Sequence, residues 1–244
     1  MTDREHVLLE RAYILHQRSY RNSSQLLECL AETHGRVSLV AQGSRRAANG
    51  QRAVLQPFLP LRISWVRRGE LGRLTHVELE QPAALLPGKA LLAGYYLNEL
   101  LLRLLARGDP NAAIFSSYVN CLAELASSAT VARALRLFEM HLLRALGYGI
   151  ELDRDVDTGE PLEPEQCYRV EAERGVYLHR GTAVDADTYL GRDLIALREG
   201  SLQDEQALRS AQRLLSGLLD VYLGDRPLKT RAVMRDIVGR GLAP

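Results

Sequence analysis

Twenty-nine arginines set against two lysines, Lys89 and Lys229, are the chemically most specific feature of this 244-residue chain. A guanidinium group presents a rigid fork of donors that can grip a phosphate through two parallel hydrogen bonds. Ten arginines fall between Arg18 and Arg73, with only Glu28, Glu32 and Glu70 against them. Arg18 and Arg21 lie in a polar turn, Arg36 at a strand start, and Arg45, Arg46 and Arg52 in a Gly/Ala/Asn-rich loop. Arg62, Arg67, Arg68 and Arg73 follow in two further strands and their connection. Such a basic β surface can follow a nucleic-acid backbone, with Tyr20, Phe58 and Trp65 as the available stacking rings. The same arginines also suit a solvated, charged face, and Phe58 and Trp65 also suit core positions. Codon usage in a GC-rich genome accounts equally for the preference of arginine over lysine.

A second basic cluster, Arg226, Lys229, Arg231 and Arg235, lies near the C-terminus. Pro227 and Thr230 are placed to start and cap a helix there, and a solvated helix face is the competing reading. Summed over the chain the charge is only +1, so a uniformly basic coat is excluded. Its distribution is uneven: +6 up to His76, neutral to Ile150, −9 from Glu151 to Glu205, and +4 beyond. Separate binding surfaces are expected from such blocks.

Catalytic constellations are not found. Gly88-Lys89-Ala90 resembles the end of a phosphate-binding loop. However, Ala83 stands where the first glycine belongs, and Ala90 replaces the magnesium-binding hydroxyl. Gly147-Tyr148-Gly149 follows a helical pattern rather than a strand and is a helix C-cap rather than a dinucleotide fingerprint. Asp153, Asp155 and Asp157 alternate as in a calcium loop, but Thr158 and Pro164 occupy the positions that need glycine and glutamate. A solvated acidic loop is the alternative, and a metal-dependent enzyme would have to rest on these three residues. The six histidines are scattered, and Cys29, Cys121 and Cys167 form no metal-spaced pair. The expectation is no catalytic residue, no metal and no cofactor.

The elements that must position the arginines follow from hydrophobic periodicity. Short alternating runs at Arg11–His16, Gln25–Leu30, Arg36–Ala41, Leu59–Val66 and Arg73–Leu79 predict five strands and a small barrel or sandwich. Past Pro82 and Pro87 the period changes from 2 to 3.6. Helices are predicted over 88–107, 112–126, 130–146, 186–198, 203–222 and 230–238, with a hairpin over 168–178 turning at Arg174-Gly175. The fold class is therefore α+β, with a barrel domain over 1–80 and a mainly helical domain over 81–244 that carries an acidic loop and hairpin at about 151–180. The acidic N-terminus (Asp3, Glu5) is unlike a signal peptide. Glu99 and Arg103 interrupt the most apolar stretch, so no membrane span and a cytoplasmic protein are expected.

In order and spacing the chain resembles the RecO family of bacterial DNA repair and recombination mediators. The runs that carry the resemblance include Arg11-Ala12-Tyr13-Ile14-Leu15-His16, His34-Gly35-Arg36-Val37-Ser38-Leu39-Val40-Ala41-Gln42-Gly43-Ser44-Arg45 and Leu55-Gln56-Pro57-Phe58-Leu59-Pro60-Leu61. They continue through Gly94-Tyr95-Tyr96-Leu97-Asn98-Glu99-Leu100-Leu101, Ala134-Leu135-Arg136-Leu137-Phe138-Glu139 and Arg226-Pro227-Leu228-Lys229-Thr230-Arg231. The resemblance implies an N-terminal five-stranded OB-fold barrel, binding of single- and double-stranded DNA, and annealing of complementary strands. It also implies work with RecR and help in loading RecA onto DNA coated by single-strand-binding protein (SSB), at the nucleoid. Some members carry a four-cysteine zinc site after the Gly-Tyr-Gly turn; with Cys167 alone, this chain is similar to the zinc-free branch. For the acidic tail of SSB the expected grip is Arg133 or Arg136 beside Leu135 and Phe138, while pairing of Arg136 with Glu139 on the helix is the other reading. A protein-only adaptor that does not touch DNA remains the alternative function.

Overall fold

The computed structural model describes residues 4–44, 51–82, 85–127, 130–181 and 187–233, with the backbone alone at 51 and 52. Five strands open the chain: β1 (Glu5–Tyr20), β2 (Ser24–Ala31), β3 (Gly35–Ala41), β4 (Leu61–Arg67) and β5 (Leu71–Leu79), with a single helical turn α1 (Gln51–Val54) between β3 and β4. They close into a barrel in the order β1-β2-β3-β5-β4, the arrangement expected of an OB fold. Closure depends on the length of β1. Its second half pairs antiparallel with β2 and its first half with β4. Bulges between Val7 and Glu10 and between Ile14 and His16 bend the strand between its two partners. Those bulges also break the alternation, which is why periodicity marks only six of its 16 residues. A short parallel pairing of Ser38–Val40 with Leu71–Arg73 completes the ring.

Inward positions of all five strands form one core, with Ile14, Leu27, Leu39, Leu61, Ile63 and Trp65 each 1% exposed or less. Burying each of these large apolar side chains contributes about 1.5–3 kcal/mol. Gly72 lies inside this core because there is no room for more: a Cβ there would meet Leu39 Cδ2 at 2.7 Å and Trp65 Cδ1 at 3.3 Å.

The compact unit that holds the barrel extends past residue 80: it runs to Leu122 and takes in the chain from Leu228, while Ala123–Pro227 form a second unit. In the first unit α2 (Gly88–Leu104) is fastened to the barrel by specific contacts. The Phe58 ring sits where a side chain at Gly94 would have to be, 2.9 Å from an added Cβ. Asn98 Nδ2 donates to the Leu15 carbonyl at 2.9 Å and its Oδ1 accepts from Tyr118 at 2.7 Å. Tyr118 belongs to α3 (Ala112–Ala126), whose Phe115 and Tyr118 rings cover Tyr13. One part of the barrel's outer surface is thus roofed by helices.

Glu99 on α2 anchors the segment at residues 229–230, accepting from the Lys229 and Thr230 backbone N–H groups, both at 2.9 Å, and from Thr230 Oγ1 at 2.6 Å. Burial pulls the Glu99 pKa up, but the Thr230 and Lys229 hydrogen bonds and the Arg103 charge outweigh it, leaving the carboxyl below its ordinary value of 4.5. A depressed carboxylate stabilises the fold fully above its unfolded-state value, and that contribution disappears as pH falls through the lower folded-state value. Glu99→Ala is expected to lower stability by about 1–2 kcal/mol at neutral pH, as loss of a helix cap does. The gap between variant and parent should close as pH falls below about 4.5, as followed by denaturant unfolding across a pH series. A gap that stays constant with pH would assign the loss to packing.

In the second unit, α4 (Val131–Ala145), α5 (Gly191–Glu199) and α6 (Glu205–Leu223) surround an apolar core that includes Phe138, Leu142, Leu194, Leu215 and Leu219. A three-stranded sheet, β6 (Cys167–Glu171), β7 (Gly175–Leu178) and β8 (Thr188–Leu190), has the order β7-β6-β8. β8 occupies residues that periodicity assigns to a helix start, because a three-residue strand is too short to show alternation. The helix expected over 230–238 is described only as far as 233. No described helix is long and apolar enough to cross a membrane.

Candidate nucleic-acid interface

Strand pairing places residues that are far apart in sequence in a single row across the barrel. Arg18 pairs with Leu26, Leu26 with Val40, Val40 with Arg73, Arg73 with Val66, and Val66 with His6. Directly paired residues point to the same face. The adjacent positions Leu27, Leu39 and Trp65 lie in the core, so this row faces outward. Two residues further along, Arg4 just before β1 and Arg68 just after β4 are also exposed. Arg4, Val66, Arg67, Arg68 and Arg73 line an open pocket of about 270 Å³.

Ion pairing separates the predicted arginines into two groups. The side chains of Arg18, Arg68 and Arg73 are exposed and make no ion pair or hydrogen bond with any described residue. Arg21, in the left-handed region at φ 52°, lies 5.3 Å over the Tyr20 ring at the β1–β2 turn. Arg36, Arg62 and Arg67 serve the fold. Arg36 Nη1 donates to the Leu102 and Leu105 carbonyls at 2.6 and 2.9 Å, satisfying the end of α2, and its Nε lies 3.3 Å from Glu28. Arg67 pairs with Glu5, and Arg62 with Glu80 at 2.8 Å. Arg45 and Arg46 lie outside the described residues; Arg52 belongs to α1, with its side chain outside them. Among the aromatic candidates, Trp65 is fully buried and Phe58 packs on α2, its ring 5.0 Å from that of Tyr95. Leu26, Val40 and Val66, which arginine density does not point to, stand in the same row. Their signal was apolar character at positions where the alternation should turn polar, but only the register shows that the three lie side by side.

On α4 the structure separates Arg133 from Arg136. Arg136 is 7% exposed and bonds at 2.6 Å to Glu139, which is fully buried, so its guanidinium is held inside the helix packing. Arg133 is half-exposed and donates to the Gly200 carbonyl at 3.0 Å. Further along the helix, exposed Arg144 rims a narrow apolar groove lined by Met140, Leu143, Leu152, Leu197, Leu214 and Leu218. In the C-terminal cluster, Arg231 lies 5.9 Å over the Tyr96 ring, Lys229 and Arg226 are exposed, and Arg235 is outside the described residues.

The acidic triplet is part of the protein's own hydrogen bonding. Asp155 is buried, and its carboxylate accepts from the backbone N–H groups of Asp157, Thr158 and Leu178 at 2.8, 3.3 and 3.0 Å. Asp157 forms a two-oxygen pair with Arg174, and Asp153 lies 3.4 Å from Arg198. The loop thereby covers the open edge of β7, where the Val156 N–H also donates to the Val176 carbonyl at 2.8 Å. Among the described residues, no three His, Cys, Asp or Glu side chains are grouped to hold a metal ion.

A barrel bearing arginines with no side-chain partner among the described residues, followed by a helical segment, is matched by family-level similarity along nearly the whole chain. Residues 6–83 match the family described as Recombination protein O N terminal, and residues 87–232 match Recombination protein O C terminal. The chain belongs to the RecO family. The DNA repair protein RecO of Nitrosococcus oceani is 42% identical over 231 residues, covering 95% of this chain and 94% of the relative. That of Methylococcus capsulatus is 41% identical over 233 residues, with 96% and 95% covered. The RecO of Haemophilus influenzae is 38% identical over 226 residues, with 91% and 94% covered. RecO membership agrees with the α+β architecture, in which the two family segments meet between residues 83 and 87.

Proposed function

We propose that this protein serves recombinational DNA repair as a mediator that binds DNA and makes or breaks no covalent bond. The barrel domain, residues 1–80, holds single- and double-stranded DNA and promotes annealing of complementary strands. Two strands repel as polyanions. A protein face that neutralises their phosphates releases condensed counterions and lowers that repulsion. The observation that carries this reading is the set of exposed arginines on one outer face whose side chains have no partner among the described residues, Arg18, Arg68 and Arg73, with Arg21 at the adjoining turn. Arginines without an internal carboxylate keep their full charge for an external anion. Arg67 borders the same pocket, where a phosphate would compete with Glu5 for it.

The helical domain, residues 81–244, takes the protein partners. RecR is one, and the acidic tail of SSB is another, through which the protein acts on RecA loading. A tail that ends in an apolar side chain and a carboxylate fits an apolar groove with an arginine at its rim, as at Arg144, with Arg133 on the same helix. The reading places the protein in the bacterial cytoplasm, at the nucleoid. Its test is binding of a labelled single-stranded oligonucleotide across a salt series, with annealing of the complement followed in the same samples. Binding that weakens linearly on a log–log salt plot, together with faster annealing, is the expected result. No binding at low salt would leave an adaptor that acts only through protein contacts.

A further inference from the structure

The outer row of the barrel differs from a base-stacking platform in one respect: between its cations it is aliphatic. Arg18, Leu26, Val40 and Arg73 stand on four neighbouring strands, so the two arginines are about 14 Å apart at roughly 4.8 Å per strand. Leu26 and Val40, and Val66 beyond Arg73, are each partly exposed. No Phe, Tyr or Trp occurs in the row or in residues 43–56. Along β1 the exposed His16 imidazole and the Tyr20 ring flank Arg18, and Tyr20 has the Arg21 guanidinium over its ring, while Trp65 and Phe58 are taken up in packing. An aliphatic strip can cover the apolar side of a deoxyribose. From Arg18 to Arg73 it offers no π-face on which a base could stack, and the one ring in the row is the His6 imidazole beside Val66.

Resting on the DNA-binding reading above, we infer that a single strand lies backbone-down on this face, with its phosphates on Arg18, Arg73 and Arg68, its sugars on Leu26, Val40 and Val66, and its bases turned to solvent. This orientation suits annealing. A strand whose bases were stacked on the protein would have to leave it before pairing, whereas one held by sugar and phosphate presents its pairing edges while bound. Affinity is then set by phosphate number and salt and is nearly blind to the bases.

The test compares two single-stranded oligonucleotides of equal length on the full chain, one normal and one whose central nucleotides are abasic tetrahydrofuran units with every phosphate retained. The expected result is affinities within about two-fold of each other and identical salt slopes. A stacking platform loses about five-fold or more per removed base, so a tenfold or greater loss on the abasic strand overturns the proposal while leaving DNA binding in place. If neither strand binds, the DNA-binding reading itself fails, and this inference with it. A second variant tests orientation from the other side. Leu26→Trp puts a stacking ring into the row and is expected to tighten binding of the normal strand, but not of the abasic one, and to slow annealing. Unchanged affinity for both strands, with folding confirmed by circular dichroism, would mean that the strand does not contact this row and lies elsewhere on the barrel.

Discussion

Replacing Arg18, Arg68 and Arg73 together by alanine is expected to weaken single-strand binding about 100-fold near physiological salt, taking about 1 kcal/mol for each partly solvated phosphate contact. The slope of log affinity against log salt should flatten by about 2, since each neutralised phosphate of a single strand contributes roughly 0.7. Thermal stability should hardly change, because none of the three side chains bonds to another described residue. Arg36→Ala is the informative contrast. It removes the donor that satisfies the Leu102 and Leu105 carbonyls, so it should lower stability with little effect on the salt slope. Fluorescence anisotropy between about 50 and 200 mM salt measures both quantities. A triple variant that retains the parental slope would remove this face from the binding site.

Glu139→Ala is expected to produce the largest loss of stability in the second unit, about 3–5 kcal/mol, with a fall in melting temperature on the order of 10 °C. The carboxylate is fully buried and lies 2.6 Å from a guanidinium that is itself 7% exposed. Removing one member leaves the other as an uncompensated buried charge, the costly half of such a pair. Replacing both, as Arg136→Met with Glu139→Leu, should cost clearly less than Glu139→Ala alone. Calorimetry on the two variants decides this. A double variant as unstable as the single one would show that the pair's surroundings, rather than its charges, carry the energy. The same pair bears on partner binding: a guanidinium enclosed in this way needs a rearrangement of α4 to reach an external carboxylate, which Arg144 at its groove does not.

Much of the fold was legible along the chain. Alternation marked all five barrel strands, and the change of period past Pro82 and Pro87 marked where helices begin. Legibility failed where regular pairing fails. The bulges hid the ends of β1, and three-residue β8 was absorbed into a helical pattern. The candidate site was legible by composition only. Arginine density pointed to the barrel, yet it could not distinguish Arg73 from Arg36, which differ in whether the fold supplies a partner. The partners lie far away in sequence: Arg36 finds its carbonyls 66 and 69 residues downstream, and Arg67 its carboxylate 62 residues upstream.

The sequence by itself therefore determined the five barrel strands in outline and most of the helices, that cations concentrate in the first third of the chain, and to which family the runs of residues correspond. These are properties of local periodicity and residue type, carried by neighbours within a few positions of one another. Tertiary structure alone decided which cations remain unpaired and what lies between them. Barrel register brings Arg18, Leu26, Val40 and Arg73 into one row, and closure brings Glu5 to Arg67. The physical reason is range. A charge is compensated by whatever the fold places within about 4 Å of it, and a strand's facing partner is set by register rather than by its neighbours in sequence.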